Sequence, residues 1–81
     1  MPGSLHSPRH LRFQQMLVEA RKEKGLTQTY VAAALGKPQS FVAKYEGGER
    51  RLDVLEFLDI AAVLGIEPGS FLAALDRTDR D

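Results

Sequence analysis

Two short apolar runs on either side of one break constrain this chain more than any other feature. The break is Gly36-Lys37-Pro38, inside the segment LTQTYVAAALGKPQSFVAKYE (26–46), and it separates one predicted helix from the next. Each run is shorter than the roughly 12 residues that an isolated helix needs in water. Helices joined by so short a turn must cross at a steep angle, so both have to pack against the rest of the chain.

The composition is typical of one small domain. The chain has 81 residues, of which 43% are hydrophobic and 27% charged,. A domain of this size buries only roughly 60% of its unfolded surface, so an oligomer would add stability. The absence of cysteine excludes disulfides, thiol catalysis and cysteine-ligated zinc,. No apolar run reaches the ~20 residues of a membrane span and no signal-peptide core is present, which predicts a cytoplasmic protein that does not contact membranes.

The charges are unevenly divided although the formal net charge is zero. Up to Leu52 nine Lys and Arg oppose four Glu, a balance of +5, and from Asp53 onward seven Asp and Glu oppose two Arg, a balance of −5. Such a division allows the basic part to face a polyanion while the acidic part faces away. Chance clustering of solvated charges is the alternative explanation.

Helical periodicity predicts an all-α fold of five helices with no strand. The predicted ranges are 9–24, 28–35, 38–46, 54–64 and 68–75, preceded by a flexible arm over 1–8 and followed by a frayed tail over 76–81,. Residues 9–75 therefore form the one predicted domain. The predicted core consists of Phe13, Leu17, Ala20, Val31, Ala34, Leu35, Val42, Tyr45, Phe57, Ile60, Ala61 and Leu64.

The ends of these helices carry recognisable capping residues. Gly25, Gly36 and Gly65 follow the first, second and fourth helices in the position that favours a left-handed backbone,. Thr27 is the predicted N-cap of the second helix, and Asp53 with Glu56 has the spacing of a capping box. Proline is favoured at the first helical position, which predicts Pro38 and Pro68 as the first residues of the third and fifth helices.

The second helix, a short turn containing glycine and the third helix form a helix-turn-helix arrangement. In that arrangement the first helix of the pair lies across the DNA backbone and the second inserts into the major groove. Gln can contact adenine there, and Lys can contact guanine or phosphate. The candidate DNA-binding residues are Thr27, Gln28, Lys37, Gln39, Ser40, Phe41, Lys44, Arg50 and Arg51. The alternative is that Gln39, Ser40, Lys44 and Arg50 are ordinary solvated surface residues.

The runs GLTQ (25–28), VAAALG (31–36), QSFVAKYEGG (39–48) and FLDIAAVLGI (57–66) resemble the phage-repressor and Cro-type (XRE-like) helix-turn-helix family of transcriptional regulators. The resemblance covers about residues 11–75. It implies a compact five-helix, lambda-repressor-like domain that binds operator double-stranded DNA, usually as a two-fold dimer.

The resemblance also assigns roles by position. Gln28, Gln39, Ser40, Phe41 and Lys44 match base- and backbone-contacting positions of the family, and Arg51 matches a position that contacts phosphate. Arg21 and Glu46 match a structural ion pair between the first and third helices. Two positions depart from the family pattern. Pro38 replaces the usual Ser or Thr cap, and Phe41 replaces a small or polar residue, so it either contacts thymine methyl groups or folds back on the protein surface.

Catalysis and metal binding have little support in the sequence. No phosphate-binding glycine loop is present, and the carboxylates lie at caps and tails, so we expect no enzyme and no cofactor. His6 and His10 are four residues apart but have no further ligand nearby, which argues against a metal site,.

Leu55, Leu58 and Ala62 form a second apolar line on the fourth helix, in addition to its core residues. This line predicts either a homodimer interface or burial against the first or fifth helix. A dimer predicts an inverted-repeat operator with half-sites about one DNA turn (~34 Å) apart. The sequence thus favours a dimeric repressor of transcription. The alternative is a protein-interaction module, such as an antitoxin-like or adaptor domain, with a protein partner of unknown identity.

Overall fold

The structure is a computed structural model that describes residues 7–77. It contains five helices: α1 (Pro8–Glu23), α2 (Gln28–Leu35), α3 (Gln39–Glu46), α4 (Val54–Leu64) and α5 (Pro68–Asp76). No strand occurs among the residues described, so the predicted all-α fold is confirmed. Helix α1 begins one residue earlier than predicted because the Ser7 hydroxyl accepts from the His10 backbone N–H at 3.1 Å. The rest of the predicted arm and residues 78–81 of the predicted tail lie outside the described residues.

The core is formed mainly by α1 to α4. Its buried members are Leu17, Ala20, Val31, Ala32, Val42, Tyr45, Phe57, Ile60, Ala61 and Leu64. The prediction that Ala34 belongs to the core is wrong, since Ala34 is exposed and Ala32 is buried. Helix α2 packs against both α3 and α4, which turns the face that begins at Gln28 and Val31 inward and leaves Ala34 on the outside.

Three phenylalanine rings attach α5, which has no fully buried residue of its own. The ring centroids of Phe13 and Phe57 are 5.7 Å apart, those of Phe57 and Phe71 5.4 Å, and those of Phe13 and Phe71 6.1 Å. Such tilted and edge-to-face contacts add to the apolar burial of aromatic side chains. An ion pair between Arg9 and Asp76 at 3.1 Å joins the first turn of α1 to the last residue of α5.

The loop after α3 packs closely on α1. Gly48 has a left-handed φ of +84° and is buried, and a Cβ at this position would lie 2.9 Å from Nε2 of Gln14. Gln14 is itself only 7% exposed. A side chain larger than glycine at position 48 would therefore meet Gln14 and would also have to adopt an unfavourable left-handed backbone,.

Among residues 7–77, no single helix combines the length and hydropathy needed to cross a membrane. Helices α4 and α5 satisfy that test only together, and they are bent by 115° at the break between them.

Candidate nucleic-acid interface

Helix α3 is anchored by its inner face and presents polar side chains outward. Val42 and Tyr45 are 0% and 2% exposed, which confirms both as core residues. Burial raises the pKa of the Tyr45 phenol well above its ordinary value, so the ring stays neutral at physiological pH,. Gln39 and Ser40 in the first turn are exposed, together with Lys44 one turn later. This face is polar, narrow and free to meet another surface.

The turn before α3 sets the angle between α2 and α3. Gly36 adopts a left-handed φ of +70°, and the Lys37 backbone N–H donates to the Ala32 carbonyl at 2.9 Å, which closes α2,. The prediction that Pro38 is the first residue of α3 is wrong. Pro38 is the extended residue before the helix, with ψ of 155°, and it offers no capping side chain. Its carbonyl accepts from the Phe41 N–H at 2.9 Å, so the turn itself meets part of the capping requirement.

A chain of hydrogen bonds runs from α1 to the first residue of α3. Arg21 donates to both carboxylate oxygens of Glu46 at 2.7 and 3.0 Å, and Gln28 Nε2 donates to Glu46 Oε1 at 2.8 Å. Gln39 Nε2 then donates to Gln28 Oε1 at 2.7 Å. The hydrogen bonds and charge of Glu46 raise the pKa of Arg21. The chain therefore fixes which way the Gln39 amide faces.

The Arg21–Glu46 pair is the one that the resemblance implies. Its side chains are only 12% and 7% exposed, and Arg21 also donates to the Leu26 carbonyl at 2.8 Å. A bidentate pair with its other hydrogen bonds satisfied is well placed to hold α1, the α1–α2 loop and the end of α3 together.

Phe41 lies partly buried on the hydrophobic core rather than fully outward. Its ring makes an edge-to-face contact with Tyr45, with centroids 5.6 Å apart. The Arg50 guanidinium lies 4.7 Å from the Phe41 centroid and the Lys37 ammonium 5.4 Å. Both distances are within the range of cation–π attraction. Of the two alternatives for Phe41, the structure shows the side chain folded back on the protein, with both cations close to its ring.

Arg50 is held by α4. It donates to the two carboxylate oxygens of Glu56 at 3.0 and 2.8 Å, and to the Arg51 carbonyl at 2.8 Å. The same carboxylate closes the predicted capping box, accepting from the Asp53 N–H at 3.0 Å. The Arg50 hydrogen bond, followed by the one from Asp53, lowers the pKa of Glu56 from 4.5 to about 2. Arg51, by contrast, has an exposed side chain.

The other predicted site residues lie around this face. The Thr27 hydroxyl caps α2 by accepting from the Tyr30 N–H at 3.0 Å, as predicted. Gln28 is half-buried at the start of α2, and its contact with Gln39 joins the two helices of the pair. Within residues 7–77, Lys37, Lys44 and Arg51 take part in no ion pair, so their charges are available to an external anion.

An apolar patch lies on α4 and α5. We define the apolar patch as Val54, Leu55, Leu58 and Leu72, which are 72%, 73%, 42% and 44% exposed. It borders a groove of about 540 Å³ whose walls include Phe13 and Leu75. Leu55 and Leu58 remain uncovered and Ala62 is also exposed, so the alternative that α1 or α5 buries this line is wrong.

Three features of the site were missed from the sequence. The sequence predicts Glu56 as a capping residue but not as the partner of Arg50. The arginine six residues earlier in the chain is a signal that could have indicated this pair. The Gln28–Glu46 hydrogen bond had no local signal, because the two residues lie in different helices. The buried Gln14 beside Gly48 had none either, since Gln is normally exposed,.

Comparison with known proteins identifies this arrangement. A family model described as Helix-turn-helix matches residues 17–71. The chain belongs to the XRE helix-turn-helix family. It is accordingly a DNA-binding transcription regulator, and the predicted family and lambda-repressor-like fold are confirmed.

Individual helix-turn-helix proteins match over most of this chain. It is 34% identical over 58 residues to y4dJ, an uncharacterised HTH-type transcriptional regulator of Sinorhizobium fredii, covering 72% of this chain and 75% of that protein. An XRE-family like protein from Pseudomonas syringae superposes with a TM-score of 0.81 at 47% identity, covering 84% of this chain and 83% of the other. The restriction-modification controller protein C.AhdI from Aeromonas hydrophila gives a TM-score of 0.69 at 36% identity, covering 75% and 88%.

Proposed function

We propose that this helix-turn-helix regulator is a sequence-specific, dimeric repressor that reads an inverted-repeat operator through the DNA major groove. The observation that carries the proposal is the outer face of α3. Its side chains Gln39, Ser40 and Lys44 are exposed, while Val42 and Tyr45 fix the helix from below. A major groove about 12 Å wide admits one such helix.

The proposed contacts divide into base readers and phosphate ligands. Gln39 is the principal base reader, because the Gln28 contact orients its amide and leaves Oε1 and one N–H for a bidentate contact to adenine,. Lys44 reaches guanine or phosphate from the next turn. The full set of proposed DNA contacts is Thr27, Gln28, Lys37, Gln39, Ser40, Lys44 and Arg51.

Phosphates are proposed to lie at three cationic or N–H-rich points. The first is the start of α2, where backbone N–H groups and the helix dipole favour an anion beside Thr27. Lys37 and Arg51 supply the other two, on opposite sides of α3 in sequence, and both are in no ion pair among the described residues. Such contacts fix the register of the protein on DNA without reading its sequence.

The dimer is proposed to form through α4. Leu55, Leu58 and Ala62 are exposed along one line of this helix, and the apolar patch extends that line toward Leu72 on α5. Apolar surface of this kind marks association in small domains. A two-fold contact would repeat α3 on adjacent turns of DNA, so that each half-site of an inverted repeat meets one copy. Occupying a promoter in this way blocks polymerase sterically.

A second candidate function is a protein-interaction module, in which the apolar patch binds a different protein. The salt dependence of the binding affinity distinguishes the DNA-binding regulator from the protein-interaction module. Phosphate contacts release counterions, so log K falls by about 0.9 per contact for each tenfold rise in salt. Binding through the apolar patch has almost no such dependence.

The test is fluorescence anisotropy of a labelled duplex pool titrated with protein between about 50 and 200 mM salt. A steep loss of affinity over this range supports the DNA-binding surface. Undetectable binding at the lowest salt by folded protein would overturn it and favour the interaction module. Gln15→Ala is the control variant, because it changes only an exposed residue of α1. A substitution of a buried residue, such as Val42→Ser, would disrupt the core and cannot serve as a control.

A further inference from the structure

A three-residue contact joins the recognition helix to α4. We call Phe41, Arg50 and Glu56 the Arg50 brace. The Arg50 guanidinium lies 4.7 Å from the Phe41 ring centroid, and two of its N–H groups donate to the two oxygens of Glu56 at 3.0 and 2.8 Å. A fork-to-fork contact of this type fixes a guanidinium in one plane.

The hydrogen bonding of Arg50 is directed into the protein. Its Nη1 donates both to Glu56 and to the Arg51 carbonyl, the latter at 2.8 Å, and its Nη2 donates to Glu56. The guanidinium carbon lies over the Phe41 ring, 4.7 Å from its centroid. Glu56 thus occupies the edge of the guanidinium formed by Nη1 and Nη2, and a phosphate that left this contact intact could approach only from the Nε side.

We propose that Arg50 is a positioning residue for sequence readout, not a phosphate ligand, and that it acts through Phe41 and Glu56. Phe41 follows Gln39 by two residues, in the same first turn of α3, so the brace sets the depth and tilt of the base-reading turn. The hydrogen bond to the Arg51 carbonyl sets the backbone from which the Arg51 side chain reaches phosphate. This inference rests on the proposed function, since it concerns how the same surface discriminates between DNA sequences.

The chemistry of the brace predicts which substitutions it tolerates. Tyr at position 41 keeps the aromatic face that attracts the guanidinium, whereas Leu removes it. Gln at position 56 keeps the capping oxygen for the Asp53 N–H but loses the charge that holds Arg50,. Glu56→Gln is therefore the decisive variant, because it frees Arg50 and adds one unit of positive charge while preserving the helix cap.

The experiment compares the wild type with Glu56→Gln, Arg50→Gln, Phe41→Leu, Phe41→Tyr and Arg51→Gln. Affinity is measured for a duplex selected by the wild type and for a scrambled duplex, each over a series of salt concentrations, after thermal unfolding has shown which variants fold. The brace predicts that Glu56→Gln, Arg50→Gln and Phe41→Leu lower the preference for the selected duplex by about three- to thirtyfold. Phe41→Tyr retains the wild-type preference.

The salt slopes distinguish positioning from phosphate contact. Arg50→Gln is expected to keep the wild-type slope, while Arg51→Gln lowers the slope by about 0.9 per protomer on both duplexes. If Arg50 were a phosphate ligand in the wild type, Arg50→Gln would lower the slope on both duplexes as Arg51→Gln does, and that result overturns the brace. Should Arg50→Gln fail to fold, the preference of Glu56→Gln for the selected duplex tests the brace by itself. A wild type that prefers no sequence would overturn the proposed function itself, whereas normal wild-type selectivity with unchanged variants overturns only the brace.

Discussion

Gln39 is the residue on which sequence readout depends in this account. Its amide nitrogen donates to Gln28 at 2.7 Å, and Gln28 in turn donates to the Glu46 carboxylate at 2.8 Å. One orientation of the amide is therefore already selected before the proposed contact with DNA. Pre-ordering a side chain in this way reduces the entropy lost when it binds a base.

Removing that amide is expected to reduce specificity. Gln39→Ala should cost about 1–3 kcal/mol on the preferred site and blur the preference at one base pair. The measurement is competition binding against single-base-pair variants of the site. Gln15→Ala is the matched control, since Gln15 is an exposed glutamine on α1. Equal losses by Gln39→Ala on the preferred site and on random DNA would show that Gln39 is not a base reader.

Arg51 is expected to contribute affinity without selectivity. Its side chain is exposed and forms no ion pair within residues 7–77, so it can neutralise a phosphate. Arg51→Ala should weaken all duplexes alike and reduce the salt slope by about 0.9 per protomer. Arg77→Ala removes an exposed arginine after α5 and serves as the control for net charge. A selective loss on the preferred site would contradict this role.

The Glu56 carboxylate stabilises the start of helix α4 through two contacts. Glu56 caps the Asp53 N–H and binds Arg50, and these contacts lower its pKa from 4.5 to about 2. Because the folded-state pKa lies below the unfolded value, the contribution of Glu56 to stability is present above pH 4.5 and is lost as pH falls toward 2,. Glu67 at the start of α5 also has a lowered pKa, caused first by its hydrogen bond from the Ser70 N–H.

A single substitution isolates the Glu56 contribution. The free energy of unfolding, measured by urea denaturation at a series of pH values from about 5 to 2, should fall more steeply for the wild type than for Glu56→Gln. Other carboxylates, including Glu67, titrate in both proteins and cancel in the comparison. Parallel pH profiles for the two proteins would show that Glu56 does not titrate with the shift described.

The ends of the helices were largely predictable from the sequence. Which face of a helix is buried was harder to predict. Thr27, Asp53 and the glycines at 36 and 65 act through local hydrogen bonds and backbone angles, so adjacent residues are enough to predict them. The inward face of α2 depends on packing against both α3 and α4, which is why Ala32 rather than Ala34 is buried. The start of α3 was predicted one residue too early, at Pro38, because proline is favoured at the first helical position, whereas here it lies just before that position,.

The same distinction applies to the site. The exposed residues of α3 were predictable from the motif and its spacing. The inward fold of Phe41 was not, because it depends on cations contributed by two different loops. Arg50 was assigned to phosphate from its place in the chain alone, and its contact with Glu56 appears only once α4 is packed.

At the scale of the whole molecule, ion pairs join the basic and acidic parts of the chain. Arg9 binds Asp76 and Arg50 binds Glu56, so two basic residues are neutralised by acids from the other half. The cations that remain outside ion pairs include Lys37, Lys44 and Arg51, all in or near the helix-turn-helix pair. The apolar patch lies on α4 and α5, within the acidic part of the chain.

Dimerisation belongs to this scale, and two leucines of equal exposure test it. Leu58 and Leu11 are each 42% exposed, but only Leu58 belongs to the apolar patch. Leu58→Glu should convert a dimer to a monomer because a two-fold contact would bring the two carboxylates together. Leu11→Glu should leave the dimer intact. Sedimentation velocity measures both, and a dimer that survives Leu58→Glu would remove α4 from the interface.

The central claim is that α3 reads DNA sequence in a two-fold arrangement. Selection of bound duplexes from a random library, by the purified protein at about 150 mM salt, tests it most directly. The expected result is enrichment of an inverted repeat whose half-site centres lie one helical turn (~34 Å) apart. Enrichment of a single half-site would contradict the dimer, and no enrichment by folded protein would contradict sequence-specific readout itself.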